Sequence, residues 1–252
     1  MATQEIVLIT GANRGIGKGI TTTYLAKPNM TVIAAVRKPT DPTSQSLLSL
    51  PKGPGTKLIL IQLNTISKPD HLSAIQTLAS EHGITHIDIL IANAGIMPPS
   101  SIARLTRVDP EEIRSVFEVN TLGTLTLIQT FFETLKRAKN PRFFVISSMS
   151  GSMGAMQNIL GAPIFAYGMS KAAVNYLVKV CHVENEEISS MAFCPGWINT
   201  DMGGKAAEVI DMPDAPFVKM EDSMAGLIKM FDSASREESG TFRNWDGSVI
   251  PW

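Results

Sequence analysis

The sequence predicts an α/β fold, a single domain built on a doubly wound parallel sheet of about seven strands with helices on both faces. Three observations predict it. Short apolar runs recur along all 252 residues and alternate with helical segments, the pattern that βαβ units produce. Most of these runs are apolar at consecutive positions instead of every second one, as strands covered on both faces require. The first run ends in a glycine-rich turn, IVLITGANRGIG over 6–17, and passes directly into a helix. With 44% hydrophobic residues and neither an internal repeat nor a low-complexity linker, residues 1–252 read as one domain around a large core.

Taken in order, the first strand is 6–9 and its helix 17–26, closed by Pro28-Asn29. A second strand follows at 31–36 (TVIAAV), and a third at 57–63 (KLILIQL) after the connection PKGPG. Residues 72–80 read as helix and 87–92 (IDILIA) as the fourth strand. Asp109-Pro110-Glu111-Glu112 announces a long helix to about 137: a capping aspartate, proline at the first helical position, and acids where the helix dipole favours them. Strand five is 142–147 (RFFVIS), a second long helix spans 163–187, and strand six is 188–193. Right-handed crossovers join such strands.

Composition excludes several function classes. A net charge of -1 offers no basic excess for nucleic acid or an anionic membrane, so a small-molecule partner is expected. MATQE carries no basic leader, and no apolar run reaches the roughly 18 residues of a membrane span, so a cytoplasmic protein is expected. Cys181 and Cys194 read as buried thiols and not as a disulfide. His71, His82, His86 and His182 share no ligand spacing, so no metal is expected.

The glycine turn predicts a nucleotide, because the free N–H groups and dipole of a helix N-terminus attract phosphate. It is not a P-loop: Gly17-Lys18 is followed by Gly19, and the residue five before Gly17 is Ala12. Its spacing, Gly11-x-x-x-Gly15-x-Gly17, also differs from Gly-x-Gly-x-x-Gly. Thr-Gly-x-x-x-Gly-x-Gly resembles the signature of the short-chain dehydrogenase/reductase family, residue for residue. The resemblance spans the chain through TGANRGIGKG, IANAGI, PGWINTDMGG and the terminal NWDGSVIPW, and is nearest to the branch of the norsolorinic acid ketoreductases and C-factor proteins. It implies a Rossmann fold with strand order 3-2-1-4-5-6-7 and a dinucleotide held by Thr10, Gly11, Asn13, Arg14, Gly15, Ile16 and Gly17.

In such sheets ligands bind beyond the carboxyl ends of the strands. Strand two ends at Val36, where an acid would hold a ribose hydroxyl; Arg37, with Arg14, instead offers guanidiniums that suit a 2′-phosphate, which reads as NADP and not NAD. The bland alternative is that Arg37 and Lys38 are solvated loop charges. Asn64 stands where the family commonly places an aspartate facing the adenine, and Asn93-Ala94-Gly95 matches its Asn-Ala-Gly motif, in which the asparagine braces the sheet. Pro195 and Gly196 match its motif beside the nicotinamide. Trp197 and Ile198 would exclude water there, and Thr200 would meet the carboxamide or pyrophosphate.

Tyr167 and Lys171 lie four apart, on one face of a helix. They match the family's Tyr-x-x-x-Lys pair. A ketone that receives a hydride needs a proton on oxygen, and an ammonium beside a phenol lowers its pKa. The resemblance implies Tyr167 as general acid and Lys171 as its activator and ribose anchor. Ser148, in preference to Ser147, would bind the substrate carbonyl, and Asn120 would bend its helix and join a proton relay. Asn120 and Gly123 are poor helix formers inside the long helix, which itself calls for a reason.

The resulting expectation is an NADPH-dependent reductase of a ketone, aromatic or polyketide-derived, with small aldehydes or quinones as the alternative substrates. A non-catalytic NADP-binding regulatory or redox-sensing protein is the other class of reading. Substrate loops are expected at about 149–163, rich in methionine and glycine, and at 203–218, forming an apolar wall with Met97-Pro98-Pro99. Family members often pair two long helices into homodimers or homotetramers. Phe117, Leu125, Val174 and Leu177 would serve, although burial in the core explains them equally.

Overall fold

The computed structural model describes residues 4–159 and 162–252, so Leu160 and Gly161 of the methionine-rich loop lie outside the described residues. Seven strands form one sheet: β1 (Glu5–Thr10), β2 (Met30–Val36), β3 (Lys57–Gln62), β4 (Ile89–Ala92), β5 (Arg142–Ile146), β6 (Ser189–Cys194) and β7 (Phe242–Asn244). Their order is β3-β2-β1-β4-β5-β6-β7 and every neighbouring pair is parallel. The reversal between β1 and β4 opens the crevice in which such folds take their ligands.

The consecutive apolar runs are explained by two cores, one on each face of the sheet. Ile6 and Leu8 of β1 point into the first, which is closed by Leu78, Phe131, Leu135, Val174 and Val178 from α3 (Lys68–His82), α5 (Gly123–Lys136) and α6 (Phe165–Glu184). Val7 and Ile9 point into the second, closed by Ile20 and Tyr24 of α1 (Gly15–Ala26) and by Leu227 and Phe231 of α8 (Met220–Ser233). Phe231 stacks on Phe144 with ring centroids 4.8 Å apart, and Phe193 meets both edge-on. Truncating such a fully buried ring costs about 3–5 kcal/mol.

The helix start read at Asp109 holds, whereas the helix read over 72–80 begins four residues earlier, at Lys68. Asp109 caps α4 (Pro110–Phe117) by accepting the Glu111 N–H at 2.9 Å. Ser67 caps α3 in the same way through the Asp70 N–H, and α3 stops at Gly83 in the left-handed conformation, φ 66°. The single long helix over 109–137 is not what the structure contains. It breaks into α4, a five-residue π segment (Glu118–Leu122) and α5. Asn120 lies inside that π segment. Gly123, which follows it, permits close approach, since a Cβ there would stand 3.1 Å from Cβ of Thr65. A π turn of this kind is a common mark of a functional position.

Two further α-helices are a short α2 (Pro42–Gln45) and α7 (Asp201–Val209). α7 occupies much of the expected loop over 203–218 and packs against the turn Pro99–Ser101. The C-terminus returns over the methionine-rich segment: Trp252 stacks on Phe242 at 5.7 Å, and its carbonyl accepts the Gly154 N–H at 2.8 Å. Of the residues considered for helix pairing between copies, Val174 is fully buried in the core and Leu177 packs against it, whereas Leu125 is 36% exposed. Among the described residues no helix is long and apolar enough to cross a membrane.

Candidate active site

The glycine turn after β1 is a backbone cradle. Gly11 and Gly15 have φ of 63° and 51°, a region other residues avoid. Gly17 admits no side chain, because a Cβ would lie 2.2 Å from the Gly11 carbonyl oxygen. α1 starts at Gly15 with Arg14 at its N-cap and no side chain bonded to its first turn, leaving those N–H groups aimed at an incoming anion. Ile16 packs into the second core beneath them.

Asn93, just beyond β4, fastens this turn: its Nδ2 donates to Thr10 O at 2.8 Å and Gly11 O at 3.3 Å. Thr10 reciprocates, its Oγ1 accepting the N–H groups of Asn93 and Ala94 at 3.0 and 3.1 Å. Asn93 thus braces the sheet as the motif implies. Asn13 reaches sideways to Thr43 Oγ1 at 2.8 Å, tying the turn to α2. Arg37 and Lys38 are exposed beyond β2, and no acid stands at its end, where Val36 is buried. Arg14 is also exposed, 3.9 Å from the Asp201 carboxylate. The half-buried Asn64 uses its backbone N–H on Asp70 at 3.1 Å. These glycines, free N–H groups and cations fit a dinucleotide with a phosphorylated ribose.

On the far side of the crevice, Thr200 caps α7 by accepting the Gly203 N–H at 3.2 Å, and a Cβ on Gly15 would touch its methyl at 3.4 Å. Gly196 takes φ 80° with Val218 and Trp245 packed where a Cβ would be. The Pro195 carbonyl accepts the Ser223 hydroxyl at 2.7 Å. Trp197 is pinned by its Nε1 donating to Gly203 O at 3.1 Å and by an edge-on contact with Phe217. Ile198 is buried beside it.

α6 presents Tyr167 and Lys171 together. Lys171 is only 4% exposed; its ammonium sits 5.5 Å from the Tyr167 ring centroid and donates to the Ile146 carbonyl, the last residue of β5, at 2.8 Å. Gly95 separates it from Asn120: a Cβ there would lie 3.2 Å from Asn120 Oδ1 and 3.7 Å from Lys171 Nζ. Asn120 clamps the strand-four loop, accepting the Ile96 N–H at 2.8 Å and donating to Ile96 O and Ser170 Oγ at 3.0 Å each.

Ser147 and Ser148 have opposite surroundings. Ser147 is buried and its hydroxyl donates to Asn175 at 2.6 Å. Ser148 is partly exposed, and its Oγ accepts the N–H and the hydroxyl of Ser150 at 3.2 and 2.9 Å. The buried Cys194 accepts the Met149 N–H on its Sγ at 3.3 Å, fixing the chain next to Ser148.

The pKa pattern departs from the expectation that Lys171 draws the Tyr167 phenol down. Burial dominates both groups, pushing the phenol up and pulling the ammonium from 10.5 to about 8. The Cys194 thiol, also raised by burial, lies close enough to couple to both. Ser150, Cys194, Asn175 and Ser170 were not singled out in the sequence for this site, since isolated small polar residues in loops and helices carry no pattern.

The methionine-rich segment lines a cavity of about 630 Å³: Met153 and Met156 wall it with Leu105, Phe165 and Met169, against a different face of α6. None of Ser148, Tyr167 or Lys171 lines it. Among the described residues no cluster of three or more His, Cys, Asp or Glu side chains is placed to hold a metal.

A short chain dehydrogenase family model matches residues 5–210. A short chain dehydrogenase of Penicillium aethiopicum is 39% identical over 98% of each chain. The norsolorinic acid ketoreductase of Aspergillus parasiticus is 34% identical over 99% of this chain and 92% of its own. Among solved structures, the NADPH-bound carbonyl reductase from chicken fatty liver superposes with a TM-score of 0.86 at 29% identity, covering 100% of both chains. The glycine cradle, the strand order and these full-length likenesses agree: the chain belongs to the short-chain dehydrogenase family.

Proposed function

We propose that this protein is an NADPH-dependent carbonyl reductase that adds hydride to a ketone, of aromatic or polyketide-derived type. The observation that carries the reading is the convergence at β5: Lys171 is bonded to the strand's last carbonyl and faces the Tyr167 ring, while Ser148, two residues past that carbonyl, keeps its hydroxyl partly exposed. Likeness to the norsolorinic acid ketoreductase of Aspergillus parasiticus supports the substrate class. NADP as cofactor is supported by the NADPH-bound chicken carbonyl reductase and by the exposed cations Arg14 and Arg37, whose guanidiniums suit a 2′-phosphate.

When bound, NADPH supplies the hydride to the carbonyl carbon. Ser148 donates a hydrogen bond to the carbonyl oxygen and orients it. Tyr167 gives its phenolic proton to that oxygen, where the C=O π pair becomes the alcohol's new O–H bond and the phenol's O–H pair stays behind on the phenolate. The ammonium of Lys171 stabilises the phenolate left behind, and its burial makes that charge interaction strong. A solvent proton then restores the phenol, and Asn120 fixes the entry to Lys171 by holding Ile96 and Ser170 in place. The side chains of Trp197 and Ile198 keep water from the hydride path.

Absorbance at 340 nm during NADPH oxidation against a panel of aryl ketones tests the reading. Tyr167→Phe is expected to abolish turnover while retaining NADPH binding. A Tyr167→Phe variant as fast as wild type would remove Tyr167 as the acid.

A further inference from the structure

Ser148 Oγ is a crowded atom for a group that must serve a substrate. It accepts the backbone N–H of Ser150 at 3.2 Å and lies 2.9 Å from the Ser150 hydroxyl. A hydroxyl has one proton and two acceptor sites. A carbonyl oxygen brings no proton, so Ser148 must spend its single proton on the substrate. The proton in the 2.9 Å bond then belongs to Ser150. Ser150 is 8% exposed, and among the described residues Ser148 is the hydrogen-bond partner of its hydroxyl.

We infer that Ser150 is a positioning residue that fills the second acceptor site of Ser148, leaving the Ser148 hydroxyl able to act toward the crevice only as a donor. The inference rests on the reading of Ser148 as the carbonyl-binding serine. Its physical content is twofold. With both acceptor sites taken by Ser150, the Ser148 proton is prevented from turning inward, which removes an ordering cost at the moment of reaction. A hydroxyl that accepts a hydrogen bond also donates a stronger one, and that strengthening grows as the carbonyl oxygen gains negative charge. The gain is therefore larger in the transition state than in the bound ground state, so it is felt in kcat more than in KM.

The surrounding bonds fix Ser150 for this task. Met149, between the two serines, is held by Cys194 through its N–H, and Ser150 is the middle residue of the short turn Met149–Gly151, whose last residue, Gly151, has its carbonyl bonded by Asn175 at 3.0 Å. Ser150→Ala removes one hydroxyl and keeps the N–H that closes the turn.

The test is a double-mutant cycle with NADPH and one turned-over aryl ketone, using wild type, Ser148→Ala, Ser150→Ala and the double variant. Ser150→Ala is expected to lower kcat about two- to five-fold, the part of the bond's worth gained only as the carbonyl oxygen takes up charge, with KM changed less than kcat and NADPH Kd unchanged. In the Ser148→Ala background it is expected to change nothing further. Ser150→Thr, which keeps the hydroxyl, is expected to retain the rate and serves should the alanine variant fold poorly. Full kcat in Ser150→Ala, losses that multiply in the double variant, or a folded Ser150→Thr as slow as the alanine variant would each overturn the inference. Full activity in Ser148→Ala would instead defeat the underlying assignment of Ser148, and is told apart by that variant alone.

Discussion

The Lys171 ammonium donates to the Ile146 carbonyl at 2.8 Å while almost fully buried, and its pKa falls from 10.5 to about 8 because burial penalises the charge. This is a site that costs stability. Below pH 8 the lysine is protonated in both folded and unfolded chains, and the penalty is present in full. Between pH 8 and 10.5 the folded chain loses the proton while the unfolded chain keeps it, so stability rises with pH across that window. Lys171→Met is expected to be inactive yet more stable than wild type at pH 7, by an amount on the order of a few kcal/mol, because it removes a desolvated charge at the loss of one hydrogen bond. Urea unfolding at pH 7 and at pH 10.5 reads this directly. The advantage of the methionine variant must shrink toward the higher pH, and equal stability at pH 7 would mean that the ammonium is not desolvated.

Arg37 and Lys38 stand exposed beyond the end of β2, with no carboxylate at Val36 to receive a ribose hydroxyl. Arg37→Asp is expected to raise KM for NADPH about ten- to a hundred-fold, since a charge-assisted bond of about 1.5–3 kcal/mol is lost, and to leave KM for NADH near its starting value. Because the site is exposed, the wild-type preference for NADPH is expected to weaken at 1 M salt. A constant ratio of the two KM values in the variant would return Arg37 to the solvated loop.

The strands and the cofactor turn were legible because each needs only local chemistry. Val7 and Ile9 face one core and Ile6 and Leu8 the other, so a consecutive apolar run reports a strand covered on both sides. The helix break at Asn120 was half legible. Two poor helix formers announced a defect, but a π segment preserves a helical outline, and its cause is the Ile96 loop, which sequence spacing does not bring near. α7 was hidden by Gly203 and Gly204, which lower helix propensity; its start is secured by Thr200 and by close packing of Gly203 on the Ile198 carbonyl. β7 has three residues and exists only by pairing with β6. The preference for Ser148 came from the resemblance alone; the physical contrast between the two serines depends on Asn175, which lies 28 positions from Ser147 and takes its hydroxyl.

Asn120 places three hydrogen bonds in a buried region, to both backbone groups of Ile96 and to Ser170. Asn120→Leu keeps the volume and strands those partners. Each orphaned buried group costs about 1–3 kcal/mol, so Tm is expected to fall by several degrees and kcat to drop because Gly95 and Lys171 lose their shared boundary. Thermal melting and steady-state rates on the same preparation are to be compared with Ser170→Ala, which strands only one amide hydrogen and is expected to cost less on both counts. A leucine variant with wild-type Tm would show that Asn120 is not clamped in solution.

Gly17 decides between two opposing effects. It lies within α1, where alanine is better by about 1 kcal/mol in helix propensity. Yet a Cβ would stand 2.2 Å from the Gly11 carbonyl oxygen and 2.5 Å from Asn93 Nδ2. The first obstacle is backbone, so it yields only if the turn itself moves, and the second is the side chain that fastens that turn to β4. Sterics therefore win, and the displaced segment is the glycine turn that leads into the free N–H groups of α1. Gly17→Ala is expected to lose NADPH binding at least ten-fold, measured by quenching of protein fluorescence, and to melt below wild type. Gly83→Ala supplies the contrast: nothing lies within 4 Å of its Cβ, so only the strain of φ 66° at a helix end is felt, and NADPH binding is expected to be untouched. Tight NADPH binding by Gly17→Ala would mean that the cradle tolerates a side chain and that its geometry is not what selects glycine there.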